Sequence, residues 1–99
     1  AMDIRTATIL EAEKMPKADK LLVLKVDTGM DIRTIVSGIA EHFAPEQIVG
    51  KKITILANLA PRKLRGVESQ GMVLMTTGDD GKLTFVTPEN STPNGTIVS

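Results

Sequence analysis

Three basic side chains crowd into four positions at Arg62, Lys63 and Arg65, with Leu64 between them. An arginine offers a planar fork that matches a phosphate, and a lysine offers a mobile point charge. Ser69 and Gln70 follow with polar groups beside Gly71, a residue type that lets backbone approach a ligand closely. Residues 58–71, which carry them, read as one long loop punctuated by Pro61 and Gly66, and loops of that length are commonly functional. No acidic residue falls between Gln47 and Val67, whereas Lys51, Lys52, Arg62, Lys63 and Arg65 all do; the acids sit mostly in 3–46 and 79–89. A chain of net charge zero can therefore still turn one basic face to an anion. A solvated loop with scattered charge is the competing reading, because basic clusters are common on surfaces.

The other reactive side chains point to no reaction. His42 is the only histidine, and a catalytic triad or a histidine metal site needs partners at defined places; it reads as an exposed residue on a helix face. Glu11 and Glu13 share one strand face and could approach each other, but nothing else marks them as an acid–base pair. Asp79 and Asp80 stand between Gly78 and Gly81, where aspartate is favoured for turn formation. There is no Gly-Lys-Ser/Thr phosphate loop. The absence of cysteine removes disulfides, thiolate metal sites and a thiol nucleophile, and it fits a reducing compartment such as the cytoplasm. The expectation is a binding domain with no catalytic residue, no metal and no cofactor. Phe43 and Phe85 are the only aromatics. Single-strand binders stack bases on such rings, so a nucleic-acid partner would be met at phosphate and sugar rather than at splayed bases. No apolar run approaches the ~18 residues of a membrane span, and no signal-peptide pattern is present; no membrane partner is expected.

The elements that would position the basic segment are mostly strands. Residues 4–15 hold β-branched residues with apolar side chains on both parities, ended by Pro16. In 21–27, Leu22, Leu24 and Val26 form one apolar face, and 32–37 follows after the turn Asp27-Thr28-Gly29-Met30, so the two runs read as a hairpin. Residues 38–50 hold the one helical stretch, with Pro45 suited to a first helical position and Gly50 to the position past its end. Ile48 and Val49 are expected to face the core, with Ile39 and Phe43 on the same side one turn earlier. Further strands are expected at 52–57, 72–77 and 83–86, with a last extended piece at 96–98. Five or more short strands with one helix between the third and fourth is the OB-fold order. The fold class is therefore all-β with one short helical segment, a five-stranded barrel in a single domain over 3–99. Ala1 and Met2 read as an expression scar, and the chain as an excised domain.

Taken in order, several stretches resemble the signature of the EMAP-II-like tRNA-binding domain. They are Asp3-Ile4-Arg5, Ala18-Asp19-Lys20-Leu21, Arg33-Thr34-Ile35-Val36-Ser37-Gly38-Ile39, Val49-Gly50-Lys51, and the run from Asn58 through Pro61, Gly66 and Gly71 to Met72. That family includes the C-terminal appendage of bacterial methionyl-tRNA synthetases, stand-alone structure-specific tRNA-binding proteins and tRNA-binding cofactors of eukaryotic synthetase complexes. The resemblance implies an OB fold with a C-terminal extension, binding of folded tRNA by shape, homodimer formation and, for a synthetase appendage, catalytic domains in cis. By similarity Lys20, Ser69 and Met72 match family residues linked to tRNA binding. Arg62, Lys63 and Arg65 join them from charge, and Asn58 and Gln70 from the same motif. A methionine opening a strand also reads as a core filler. Two departures stand out: Thr6-Ala7-Thr8 replaces a common Val-Gly-Lys, and Met15-Pro16-Lys17 a common His-Pro-Asn. The neutral charge and the missing strand-one lysine keep open a structural dimerisation module with little RNA binding, and a stand-alone tRNA-binding protein of the same family is a further alternative.

Overall fold

One long strand serves two partners, and the barrel follows from that. In the computed structural model, which describes residues 3–16, 18–57, 60–89 and 92–98, β1 (Ile4–Lys14) pairs through Ile4–Thr8 with β4 (Lys52–Leu56) and through Thr8–Lys14 with β2 (Leu22–Asp27), both antiparallel. Between Ile9 and Glu11 the register shifts. Such a bulge bends a strand and resets which parity faces inward. Ala7 and Ile9 are fully buried, whereas Leu10 turns outward, which accounts for the apolar residues on both parities.

The hairpin expected over 21–37 is present, with β2 and β3 (Ile32–Ser37) in register from Leu22↔Ser37 to Asp27↔Ile32. Leu22, Leu24 and Val26 are completely buried. The sheet runs β3-β2-β1-β4-β7, where β7 is Met72–Val73. Its two outer strands nearly meet. The Gln70 amide donates to the Thr34 carbonyl at 2.8 Å. The Thr34 amide donates to the Gln70 side-chain oxygen at 3.0 Å, and the Val36 amide to Ser69 Oγ at 3.0 Å. Two side chains thus stand in for a missing strand along the outer edge of β3, the groups a sheet edge leaves open. The result is a nearly closed five-stranded OB barrel.

Ile39 and Phe43 form one isolated helical turn, with the Phe43 amide donating to the Ile39 carbonyl at 3.1 Å. α1 (Pro45–Ile48) follows, its entry held by the Ala44 amide donating to the Gln47 side-chain oxygen at 2.7 Å. Ile48 is fully buried, but Val49 is 48% exposed. The expectation that both face the core holds only for Ile48, because the helix ends there and Val49 is already extended.

Two expectations past β4 are corrected. Residues 58–71 are not one loop: β5 (Arg62–Leu64) and β6 (Val67–Ser69) form an antiparallel hairpin. The strand expected at 72–77 breaks at Leu74. β7 stays with β4, while β8 (Met75–Thr77) pairs with β9 (Leu83–Phe85) around a turn that holds Asp79 and Asp80. The C-terminal extension runs along the half of β1 that β2 leaves vacant. The Thr6 amide donates to the Thr96 carbonyl at 3.0 Å and the Val98 amide to the Ile4 carbonyl at 2.9 Å. Ala1 and Met2, expected as a scar, lie outside the described residues, as do Lys17, Asn58 and Leu59.

Candidate nucleic-acid interface

The β5–β6 hairpin turns through two residues, Arg65 at φ 52 and Gly66 at φ 85. Positive φ at both central positions is the mirror-image turn that matches strand twist, normally built from Asn-Gly or Asp-Gly. Arg65 is the one non-glycine residue with positive φ among those described. For an L-residue with a Cβ this conformation costs about 1–2 kcal/mol. Arg62, Lys63 and Arg65 are all exposed. Lys63 lies across the ladder from Glu68. Among the described residues, however, ion pairs join only Arg5 to Asp3 and Arg33 to Asp31. The three hairpin charges are unspent.

Val67 ties the hairpin to the body. It packs on a small second core of Met15, Ala18 and Val36, edged by Leu21 and Val23. The turn between Ala18 and Leu21 carries Lys20, exposed, whose carbonyl accepts the Ala40 amide at 3.1 Å. Lys20 and the hairpin are therefore brought to one side. A cleft of about 400 Å³ opens beside the hairpin, walled by Ser37, Gly38, Ala60 and Arg62 over Val36 and Val73. Met72, also expected as a core filler, lies at its edge and is 46% exposed.

Ser69 and Gln70 sit differently. Ser69 is 6% exposed, and its hydroxyl accepts from Val36 and donates to the Gly71 carbonyl at 3.2 Å. The Gln70 side-chain oxygen is taken by Thr34. Both hold the arm against β3. Asn58 lies outside the described residues. The single basic face expected from 47–67 divides in space: Lys52 opens β4, a strand about 13 Å long at ordinary rise whose other end leads to the arm, and its Nζ lies on Asn94 Oδ1. Thr8 also bonds Asn94, at 2.7 Å.

The remaining candidates stay apart. His42 is exposed, in a turn rather than on a helix face. Glu11 faces Lys25 across the ladder. Asp80 accepts the Lys82 amide at 3.0 Å within its own turn. No group of three potential metal ligands occurs among the described residues, and no helix there is long and apolar enough to cross a membrane. The two phenylalanines stack on each other, centroids 5.0 Å apart, against the core.

Sequence reasoning gave Arg33 no role beyond its place in the motif. In the structure its Nη1 donates to the Ala57 carbonyl at 2.6 Å, and its Nε to Asp31 Oδ1 at 3.1 Å. The Thr28 hydroxyl, and after it the Arg33 guanidinium, hold the Asp31 carboxyl below the usual carboxylate range. No periodicity announces such a residue; an arginine inside an otherwise β-branched strand is the only signal.

The comparisons with known proteins agree with this geometry. The chain is 72% identical over 98 residues to methionine–tRNA ligase of Flavobacterium johnsoniae, and 65% identical over 99 residues to that of Christiangramia forsetii. In each case it covers 99% of this chain and 14% of the ligase, so the chain spans about one seventh of the length of these curated relatives. Among solved structures, a MetRS related protein from Pyrococcus horikoshii superposes with a TM-score of 0.91 at 39% identity, covering 99% of this chain and 90% of that one. The chaperone CsaA of Bacillus anthracis superposes with a TM-score of 0.87 at 27% identity, again over 99% of this chain and 90% of the other. The family profile described as "Putative tRNA binding domain" matches residues 4–97, from the first residue of β1 to the bridge that seats the extension on it. With barrel, arm and extension all inside that match, the chain belongs to the tRNA-binding domain family.

Proposed function

We propose that this domain binds folded tRNA through the β5–β6 hairpin and the adjoining Lys20 turn, as the C-terminal appendage of a methionyl-tRNA synthetase. The observation that carries the reading is the hairpin tip, where three exposed cations have no ion-pair partner among the described residues and Arg65 occupies a backbone conformation that asparagine or glycine would fill more cheaply. Arg62, Lys63, Arg65 and Lys20 reach phosphates, which report shape and not sequence. Met72 packs against sugar at the edge of the cleft. Ser69 and Gln70 act by holding the arm, and Asn58 completes the motif at its root. Tethered to catalytic domains in cis, a weak RNA-binding module raises overall tRNA affinity because its encounter becomes intramolecular. The compartment that goes with this parentage is the cytoplasm.

Arg65→Asn tests the reading because the two effects have opposite signs. Relief of the left-handed arginine should leave thermal stability unchanged or raise it by about 0.5–1 kcal/mol. Binding should weaken about four- to sixfold at 0.15 M salt, the counterion-release value of one phosphate contact. Lys82→Ala, beside Asp79 and Asp80, serves as the control and should bind like the unaltered chain. Equal losses at Arg65 and Lys82, read by fluorescence titration with tRNA, would mean diffuse electrostatics and no site.

The extension carries a second part of the reading, a homodimer. Ile97 is 63% and Val98 44% exposed, and with Val86 they line an apolar groove in which the buried Thr92 hydroxyl has no hydrogen-bond partner among the described residues. A second copy over this groove would cover all three. Sedimentation equilibrium at micromolar concentration should give the dimer mass, and Ile97→Asp with Val98→Asp should give the monomer. A monomer mass for the unaltered chain would remove this part. The stand-alone alternative rests on the Pyrococcus horikoshii structure, of which this domain covers 90%; the length of the gene separates it from the appendage reading.

A further inference from the structure

Arg33 lies on β3, away from the hairpin tip, yet its guanidinium reaches both roots of the arm that carries the tip. Nη1 donates to the Ala57 carbonyl at 2.6 Å, where the chain leaves β4, and to the Gln70 carbonyl at 3.4 Å, where it returns. On the other side Nε donates to both Asp31 carboxylate oxygens, at 3.1 and 3.3 Å. Asp31 is fixed in turn by the Thr28 hydroxyl, which donates to Oδ1 at 2.6 Å. The guanidinium is thus held from behind and bonds in front. A planar fork serves these separate directions at once, and a single ammonium on a flexible stem does not.

We propose that Arg33 is a positioning residue for tRNA binding: it pins the roots of the β5–β6 arm, so that Arg62, Lys63 and Arg65 meet phosphates already set at a fixed spacing. The inference rests on the arm being the RNA-binding element. The Arg33 side chain is only 21% exposed, and its Nε and Nη1 are engaged by a carboxylate and two carbonyls, which leaves Nη2 alone among its donors for any phosphate. The Gln70 root keeps two further bonds, to Thr34. The Ala57 carbonyl has only Arg33 among the described side chains. A loosened root leaves an arm that must be ordered on binding, and that ordering is subtracted from affinity.

Arg33→Lys and Arg33→Gln are compared with the unaltered chain, using a tRNA transcript as the probe. Without RNA, amide exchange in β5 and β6 should quicken roughly tenfold or more in both variants while β1 and β2 stay protected. With RNA, both should lose more than the about four- to sixfold of a single phosphate contact, while the salt slope stays near that of the unaltered chain, because an ordering cost releases no counterions. In a background lacking the three hairpin cations, either substitution should cost less than about twofold, since non-additivity marks residues acting through one another. Arg33→Lys binding like the unaltered chain while Arg33→Gln fails would make Arg33 a direct phosphate contact and overturn the proposal. A lowered Tm with unchanged exchange and Kd would make it merely structural and overturn it as well. Should the background variant itself bind normally, the hairpin reading falls and the role in binding with it, while the exchange data still report whether Arg33 holds the arm.

Discussion

Replacing Arg62, Lys63 and Arg65 together by alanine should lower tRNA affinity about 50- to 200-fold at 0.15 M salt. The figure follows from counterion release. Each phosphate contact contributes a slope of roughly 0.7–0.9 in log affinity against log salt, the single-strand and duplex limits that bracket a folded RNA. Three contacts therefore flatten the slope by about 2–2.7, and the affinity gap should close as salt rises toward 1 M. Lys63→Ala alone should flatten it by roughly 0.7–0.9. The loss should be about equal for every tRNA tested, because phosphates carry no sequence. The fold should survive, since all three side chains are exposed and none is in an ion pair among the described residues. An unchanged slope for the triple variant would place the RNA on another face.

A comparably large effect on stability should come from Gly29→Ala. Gly29 sits at φ +86, and a Cβ there would collide with the Asn94 carbonyl oxygen. Gly95, at φ +85, faces it, and a Cβ on Gly95 would lie 2.5 Å from the Thr28 carbonyl oxygen. The turn between β2 and β3 and the turn that starts the extension thus interlock backbone to backbone, and neither has a flexible side chain to yield. A left-handed residue costs about 1–2 kcal/mol and overpacking about 1–3, so the sum is about 2–5 kcal/mol. In a domain of this size that lowers Tm by about 8 °C or more, readable by circular dichroism. A Tm within about 2 °C of the unaltered chain would mean the extension is not seated against that turn.

What could be read from sequence, and what could not, separates along physical lines. Strands buried on one face advertise a period of two, as Leu22, Leu24 and Val26 do in β2; Ile32–Ser37 was expected with the bounds it has, although its burial falls on the neighbours Ile35 and Val36. β1 was harder because the bulge after Ile9 exchanges its faces midway. The β5–β6 hairpin escaped notice for two reasons. Its strands are three residues each with charge on both faces, and its turn is Arg65-Gly66 where asparagine or aspartate usually signals a hairpin. The polarity of Ser69 and Gln70 suggested ligands, and in the structure Ser69 Oγ accepts the Val36 amide and the Gln70 side-chain oxygen the Thr34 amide; side chains that replace a strand leave no periodic trace. Charge density along the chain overstated the basic face, because β4 carries Lys52 away from Arg62. The motif, by contrast, pointed to the family that residues 4–97 match.

Amide chemical-shift mapping of the domain titrated with tRNA locates the RNA directly. Perturbations should concentrate at residues 62–67 and 18–20, with the edge of the cleft at Ser37, Gly38 and Met72, and should fade as salt is raised. Perturbations centred on the Asp79–Lys82 turn, or on the Glu11 and Glu13 face of β1, with 62–67 unmoved, would contradict the assignment of the hairpin as the tRNA-binding element.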